Sequence, residues 1–310
     1  MAQDTVPVVD LSCFEDGGSM EDQAQVAKML FDACSQIGFF YVKGHGCPKT
    51  VRHDAFRASM QMFDSSEKVS LDAKNSPLYR GYNGIQTGGH SCTPEEKGAL
   101  PDLKESFTIG AECLTKDKSS PMHGPNQWPT TLPEFEPAMR LYWETLIGTV
   151  AVRIMKALAM SLNQEVDFFL KQCDNPVAQM VLLRYPGTEE DQRRGCGAHT
   201  DCGFLTILAQ DAVEGLEVQR TDGTWISAPP IEDTFIVNLG DMAAQWTNDV
   251  YQSTPHRVSS NTETRHSIPF FLNCNFECQV EALEGCGEPK YPPTQAGSYI
   301  LQKLGLMYLL

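Results

Sequence analysis

The chain has 310 residues, which is enough for one large β-rich domain with added helices or for two ordinary domains. Its 24 Lys and Arg stand against 40 Asp and Glu, and the formal net charge of −16 repels nucleic acid and anionic membrane surfaces, so we expect a small diffusible substrate. The 11 cysteines include no Cys-x-x-Cys pair and the N-terminus shows no basic segment followed by an apolar run, so we expect a cytoplasmic protein with reduced thiols, no signal peptide and no membrane span.

The first elements follow from apolar spacing and from residues typical of helix ends. Residues 7–11 (PVVDL) predict a short strand, and Ser19 with Asp22 three residues later is typical of a helix start. The helix predicted to follow ends at Gly38 and has one apolar face, formed by Val26, Leu30, Ala33 and Ile37. The next run, FFYV, predicts a strand. His45 follows it between two glycines without a partner at ligand spacing, and we expect it to be structural.

A second amphipathic helix is predicted from about Pro48 to Phe63. Residues 64–130, which include the Gly88-Gly89-His90 turn, then lose clear periodicity. A long irregular segment in a compact protein is commonly disordered or a functional cover. Because this segment is rich in aromatic residues, we interpret it as part of a wall of the substrate pocket.

The longest helical pattern runs from Glu134 to Leu162, and its apolar stripe is typical of a helix packed on a sheet. After Pro176 the pattern changes to short apolar runs separated by turn residues: MVLLRY, FLTIL, GLEVQ, TWISA, FIVNL, HRVSS and SIPFFLN. Helices first and short strands later predict a mainly β fold, a sandwich or jelly roll with flanking helices, rather than an alternating α/β sheet.

The stretch GAHTDCGFLTIL carries two residues of a candidate metal site. His199 and Asp201 stand two residues apart, and in an extended strand the side chains at i and i+2 leave the same face. His256, in STPHRV near another predicted strand, offers a third ligand. Two histidines and a carboxylate on one face of an octahedron, with the opposite face open, form the ligand set of non-haem Fe(II) oxygenases. The sequence therefore predicts an iron site at these three residues.

Arg265 and Ser267 follow this third candidate ligand and alternate onto one face of a further predicted strand. A His-x-Asp tripeptide alone is weak evidence, since an exposed or hydrogen-bonded core histidine is the commoner outcome. The ordered set is stronger, because the tripeptide, the second histidine and the Arg-x-Ser pair all occur within the β-rich half of the chain.

These motifs resemble those of the Fe(II)- and 2-oxoglutarate-dependent dioxygenases, in the branch similar to isopenicillin N synthase. PVVDL, GFFYVKGHG, RGY, DLKESFTIG and NQWP are similar to the N-terminal region of that family, and HTDCGFLTILAQD, GLEV, NLGDMAAQWTN, STPHRV and RHSIPFF to its catalytic core. The resemblance implies an N-terminal dioxygenase region over 6–130, helical support over 134–175 and a double-stranded β-helix (jelly-roll) core over 176–276. We expect these parts to form one structural unit, 1–310, that acts as a monomer.

The resemblance also implies roles for single residues. His199, Asp201 and His256 are expected to hold Fe(II), and Arg265 with Ser267 to grip the distal carboxylate of 2-oxoglutarate. A guanidinium suits that carboxylate because it offers two parallel donors and stays charged. The implied reaction uses O2 to oxidise a C–H bond of a small metabolite, by hydroxylation, desaturation or ring closure, with release of succinate and CO2. Ascorbate is expected to help as a reductant.

Further residues are assigned by the same resemblance. Tyr185, in RYPG, matches a tyrosine that in many members also reaches the cosubstrate. Phe271 and Asn273 are candidate substrate contacts, with a core position as the alternative. Cys202 stands where relatives often carry an aromatic residue, so we expect a pocket of different shape beside the iron.

Two other functions stay open at this point. An oxidase like isopenicillin N synthase uses the same iron without the oxo acid, and its Arg-x-Ser pair holds the carboxylate of the substrate instead. A catalytically silent binding protein on the same fold is less favoured, because it has no reason to keep three convergent ligands.

Overall fold

Two β-sheets carry the structure, a computed structural model that describes residues 5–15, 17–85, 101–112, 120–188 and 194–308. Its helices are α1 (Met20–Gln36), α2 (Lys49–Asp64), α3 (Phe135–Thr145), α4 (Ala151–Ser161), α5 (Phe168–Gln172), α6 (Asp241–Trp246) and α7 (Ala296–Tyr308). Its strands are β1 (Val8–Asp10), β2 (Phe39–Lys43), β3 (Gly81–Asn83), β4 (Glu105–Gly110), β5 (Pro176–Tyr185), β6 (Cys196–His199), β7 (Leu205–Gln210), β8 (Leu216–Gln219), β9 (Trp225–Ser227), β10 (Phe235–Leu239), β11 (His256–Val258), β12 (Arg265–Asn275), β13 (Gln279–Val280) and β14 (Thr294–Gln295). The predicted Gly88-Gly89-His90 turn lies outside the described residues.

The large sheet has the strand order β1-β2-β10-β7-β12-β5-β4-β3, and the small sheet that faces it has the order β6-β11-β8-β9, while β13 and β14 form a separate two-stranded sheet. Strand neighbours in both sheets run antiparallel, apart from the parallel pair of β1 with β2. The predicted fold class is confirmed: the protein is mainly β, with helices flanking a jelly-roll core.

The two faces of the large sheet have different surroundings, because side chains alternate along each strand. The outer face packs against helices, and Phe270 of β12 meets Trp143 of α3 edge to face with ring centroids 4.9 Å apart. The inner face turns toward the small sheet, to which it is joined by an apolar cluster that includes Tyr41 and Val218. The odd-numbered side chains of β12 from Arg265 onward lie on this inner face, opposite the odd-numbered side chains of β5.

The predicted ends of the first helix are confirmed. The Ser19 hydroxyl accepts a hydrogen bond from the Asp22 backbone N–H at 3.2 Å, so it caps α1. Gly38 ends the helix with a φ of +66°, and its N–H donates to the Ala33 carbonyl at 3.0 Å. The chain then enters β2 directly, which places the FFYV run in the large sheet as predicted.

The long helical pattern from Glu134 is helical without a break over 135–161, and a π-helical turn lies within it. A π-helical turn, Leu146–Val150, separates α3 from α4 and shifts the phase of the apolar stripe. Tyr142 and Ile154, one on each side of this turn, are both buried in the core. The predicted helical pattern and the packing of its stripe are therefore confirmed, and the π-helical turn is a feature that the pattern did not predict.

The segment from 64 to 130 contains two strands that its lack of periodicity concealed. β4 begins at Glu105, a residue that is uncommon in strands and is here almost fully buried. Its carboxylate accepts hydrogen bonds from the Tyr82 hydroxyl at 2.6 Å, the Lys68 ammonium at 3.0 Å and Arg184 Nε at 2.6 Å. These partners lie far from Glu105 in sequence, so local patterns could not reveal the strand. Residues 86–100 and 113–119 of the predicted pocket wall lie outside the described residues.

Candidate metal centre and cosubstrate pocket

His199, Asp201 and His256 converge on one point between the two sheets, and their potential ligand atoms all lie within 4.8 Å of one another. Nε2 of His199 lies 3.8 Å, and Nε2 of His256 lies 3.7 Å, from the same oxygen of Asp201, Oδ1. The three residues come together because β6 and β11 are antiparallel neighbours in which His199 pairs with His256.

The prediction that His199 and Asp201 lie in the same extended strand is wrong. β6 ends at His199, and Asp201 lies in the turn that follows rather than in the same strand. The turn is fixed by its backbone, since Asp241 N–H donates to the Asp201 carbonyl at 2.7 Å. A Cβ atom at position 240 would collide with the Asp201 carbonyl oxygen, so only glycine allows this close approach of the two backbones.

Hydrogen bonds at the far ring nitrogen orient both histidines. Nδ1 of His199 lies 2.8 Å from the Gly197 carbonyl, and Nδ1 of His256 lies 3.1 Å from the Thr254 carbonyl. A carbonyl can only accept, so each Nδ1 carries the proton that it donates. Nε2 of each ring is thereby directed toward the carboxylate, in the arrangement that metal-binding histidines use.

The second oxygen of Asp201 is occupied by two residues that the sequence analysis missed. Oδ2 accepts from the Thr206 hydroxyl at 2.6 Å and from the Asn238 amide at 2.7 Å. Only Oδ1 is therefore left to face the histidines. The available signal was a polar residue inside each of two apolar runs, Thr206 in FLTIL and Asn238 in FIVNL, where burial demands a partner.

Charge is divided unequally among the three side chains. Burial, with a contribution from neighbouring His199, lowers the pKa of His256 to about 4, so this ring is neutral at neutral pH. Burial also lowers the pKa of His199, but Cys196 and Asp201 outweigh it and raise that pKa to about 9. Burial raises the pKa of Asp201, yet the two histidines hold it below its ordinary value. A metal ion that binds here displaces the Nε2 proton of His199, because only a neutral imidazole can be a ligand. Two imidazole nitrogens and one carboxylate oxygen then form a donor set that suits a divalent cation.

Arg265 lies on the inner face as a buried cation, with 0% of its surface exposed. Its Nη2 donates to Gln210 at 2.8 Å and its Nη1 to the Ser267 hydroxyl at 3.3 Å, while Nε has no hydrogen-bond partner. Its guanidinium lies 5.1 Å from the ring centroid of Tyr185, the residue opposite it on β5. Within the described residues no carboxylate pairs with Arg265. Since a buried charge without a counter-ion is costly, this pocket is suited to an anionic ligand.

The two candidate substrate contacts have different surroundings. Phe271 lies on the inner face and pairs with Thr206 of the neighbouring strand β7. Thr206 is the residue whose hydroxyl donates to Asp201. Asn273 is buried, and its side-chain oxygen accepts from the Phe204 N–H at 3.1 Å, within the segment that follows Asp201. Cys202, next to Asp201 in the chain, is partly buried.

His45 is structural, as predicted. Its side chain is buried, Nδ1 accepts from the Cys47 N–H at 3.0 Å, and Nε2 donates to the Asp233 carbonyl at 3.2 Å. Both ring nitrogens are thus used within the protein.

Two family models match the chain. The model of the 2OG-Fe(II) oxygenase superfamily matches residues 177–273, and the model described as non-haem dioxygenase in morphine synthesis N-terminal matches residues 6–131. The first match spans Tyr185, the three convergent residues and the Arg-x-Ser pair.

Several named proteins are similar over almost their whole length. Homoarginine-6-hydroxylase 2-ODD-233 of Oryza sativa subsp. japonica is 36% identical, with 96% of each chain covered. The 2-oxoglutarate-Fe(II) type oxidoreductase hxnY of Emericella nidulans is 34% identical, over 94% of this chain and 87% of its own. A full-length Neurospora crassa protein solved in complex with alpha-KG (2-oxoglutarate) and thymine superposes with a TM-score of 0.86 at 30% identity, covering 98% and 97% of the two chains.

Proposed function

This chain belongs to the 2OG-Fe(II) oxygenase superfamily, and on that premise we propose that His199, Asp201 and His256 are the ligands of its iron. The protein is a non-haem Fe(II)- and 2-oxoglutarate-dependent oxidoreductase that acts on a small molecule. The assignment of its ligands is supported by the convergence of the three side chains and by the carbonyls that orient both rings.

The unpaired burial of Arg265 is the observation that carries the cosubstrate assignment. Arg265 and Ser267 take the distal carboxylate of 2-oxoglutarate, which supplies the missing counter-ion and a partner for the guanidinium. Gln210 fixes one side of the guanidinium, so that its remaining donors are aimed in advance. Tyr185 closes the pocket over the cation with its ring.

When bound, Fe(II) and 2-oxoglutarate supply the oxidation, in which O2 converts the oxo acid to succinate and CO2 and a substrate C–H bond is oxidised. The side chains hold and orient these groups. Thr206 and Asn238 hold Asp201 through one oxygen and leave the other free to bind. The apolar cluster around Tyr41 and Val218 keeps water from one end of the inner face, which strengthens the charge pairing at Arg265.

The substrate lies against the part of the inner face that continues past Phe271. Gln179 pairs with Phe271 across β5 and β12, and Thr108 and Ser106 follow on β4. Within the described residues the side chains of Gln179, Thr108 and Ser106 make no hydrogen bond, so they are free to recognise uncharged polar groups. Gln179→Leu should raise the KM for the substrate several-fold, whereas Gln61→Leu on α2 should not. Equal KM values in the two variants would remove Gln179 from the substrate site.

The cellular compartment and the oligomeric state are part of the same proposal. No helix in the described part of the chain combines the length and apolar character needed to cross a membrane. The described cysteines are all free thiols, which fits a reducing compartment. We infer a cytoplasmic monomer whose turnover ascorbate supports, and gel filtration together with turnover with and without ascorbate tests these points.

The decisive experiment separates the dioxygenase from an oxidase that does not use the oxo acid. Wild-type protein is mixed anaerobically with Fe(II) and 2-oxoglutarate, and a visible charge-transfer band is expected. Under oxygen, a metabolite library is then followed for succinate release, with one succinate formed per substrate oxidised. Full substrate turnover without 2-oxoglutarate and without succinate would assign Arg265 and Ser267 to a substrate carboxylate instead.

A further inference from the structure

The outer edge of β6 is closed by residues 101–104, which precede β4. Among the strands of the described part of the chain, β6 pairs with β11 alone, so it is an edge strand of the small sheet. On its other side the Gly197 N–H donates to Oδ1 of Asp102 at 2.9 Å, and the Leu103 N–H donates to the Arg194 carbonyl at 2.9 Å. Edge strands present backbone groups that need such partners. A short segment far away in sequence therefore holds the strand that ends at His199.

Lys104 fixes the carboxylate that makes this contact. Its ammonium lies 2.8 Å from Oδ2 of Asp102 and 2.9 Å from Sγ of Cys196. The Lys104 and Asp102 side chains are 29% and 26% exposed, so the pair is only partly accessible to solvent. Asp102 is thus held between a cation and the backbone of β6, with charge-assisted contacts on both oxygens.

The two residues of β6 that this pair touches are the two that contact the far side of the His199 ring. The Gly197 carbonyl accepts from Nδ1 at 2.8 Å, and Sγ of Cys196 lies 3.8 Å from the same nitrogen. A displacement of residues 196–197 therefore rotates the ring and moves its Nε2 relative to Asp201. The ladder with β11 resists such a displacement weakly, since it has two paired positions interrupted by an irregularity.

We propose that Asp102 is a positioning residue of the metal centre, which acts with Lys104 by holding residues 196–197 so that His199 presents Nε2 to the ion. The proposal rests on the proposed role of His199 as a ligand. Groups that orient a ligating histidine commonly change metal affinity about 10- to 100-fold when they are removed. Here the carbonyl that orients the ring is itself held in place by a carboxylate from another part of the chain.

The test measures metal affinity directly and needs no substrate. Asp102→Ala, Asp102→Asn and Lys104→Met are titrated anaerobically with Co(II), whose visible bands report both affinity and ligand geometry. We expect Asp102→Ala to weaken Co(II) binding about 10- to 100-fold and to change the band shape. Asp102→Asn should recover part of the loss, because an amide oxygen still accepts from Gly197. Lys104→Met should lie between Asp102→Ala and the wild type.

Asp222→Ala is the matched control, because Asp222 also accepts a backbone N–H, that of Thr224 at 2.9 Å, at the opposite end of the same sheet. The Co(II) affinity of Asp222→Ala should equal that of the wild type. Without metal, Asp222→Ala and Asp102→Ala should have similar thermal stability. Wild-type affinity and spectrum in Asp102→Ala would overturn the proposal. If that variant does not fold, unchanged affinity in both Asp102→Asn and Lys104→Met would overturn it. Failure of the wild-type protein to bind Co(II) would instead reject the proposed ligands.

Discussion

The two histidines of the metal centre reach the same point from supports of different strength. His256 lies in an interior strand of the small sheet, its side chain is 10% exposed, and its ring meets Phe39 at a centroid distance of 5.2 Å. His199 ends an edge strand, its side chain is 23% exposed, and Gly197 orients it while depending on Asp102 in turn. A backbone carbonyl orients each ring, but His256 is also packed in the core, whereas His199 depends on a chain of polar contacts.

This difference indicates that the ligands of one metal site can differ in how easily they are displaced. A ligand packed in the core keeps its position when one contact is lost, because many neighbours restrain it. A ligand on an edge strand depends on a few directional contacts, and losing one of them changes its geometry. Because the metal needs all three ligands at once, we expect metal affinity to depend mainly on the few polar contacts that hold His199. We expect the stability of the fold to depend mainly on the core packing around His256.

Removing a ligand outright is the largest perturbation. His199→Ala, Asp201→Ala and His256→Ala should each abolish turnover and reduce Fe(II) binding below detection, because two protein ligands do not complete the facial set. The variants should differ in metal-free stability, with His256→Ala losing more than His199→Ala, since it leaves the larger buried void. Anaerobic Fe(II) titration, succinate release and urea unfolding check these outcomes. Wild-type turnover in any of the three would contradict the assignment of that residue.

The next largest effect is expected on the large-sheet side, at Arg265. Arg265→Met removes the buried cation and should leave Fe(II) binding nearly intact, because the residue contacts none of the three ligands. It should raise the apparent 2-oxoglutarate requirement on the order of 10- to 1000-fold, as expected for the loss of a charged partner in a buried site. The charge-transfer band, titrated with 2-oxoglutarate under anaerobic conditions, measures this. An unchanged requirement would place the cosubstrate carboxylate elsewhere.

Side-chain chemistry at short spacing was what the sequence revealed best. His199, Asp201 and His256 could be selected because few residue types bind iron and their order is restrictive, and the mainly β core followed from regular apolar runs. Whether Asp201 lay in a strand could not be decided, since a turn and a strand end have similar local signals.

Contacts made across the fold could not be predicted in the same way. Asp102 is 95 residues from Gly197, whose N–H donates a hydrogen bond to it, and Asn238 is 37 residues from Asp201, to which it donates. Nothing in the neighbourhood of either residue indicates its partner. β4 was missed for the same reason, because the burial of Glu105 is possible only beside Lys68 and Arg184. Tertiary partners decide such positions more strongly than local propensity does.

A smaller effect is expected where the support of a ligand is duplicated. Thr206→Val preserves shape and removes one of the two donors to Oδ2 of Asp201, while Asn238 retains the other. Co(II) affinity should fall about 10-fold, the low end of the range for groups that orient ligands. Thr224→Val is the control, since its hydroxyl donates to the Asp222 carboxylate at 2.6 Å on the surface. A loss as large as that of Asp201→Ala would mean that Asn238 alone cannot hold the carboxylate.

The smallest effect on the metal is expected at Phe39, whose ring packs against that of His256. Phe39→Leu removes the ring packed against His256 but leaves the Thr254 carbonyl that orients it. Because the surrounding core still restrains the ring, Co(II) affinity should change less than about threefold, or less than about 0.7 kcal/mol. The lost packing of a residue that is 1% exposed should lower the free energy of unfolding by about 1 kcal/mol. Asp102→Ala should show the reverse pattern, with a large loss of affinity and a small loss of stability. Parallel changes in affinity and stability in both variants would mean that the two histidines are supported alike.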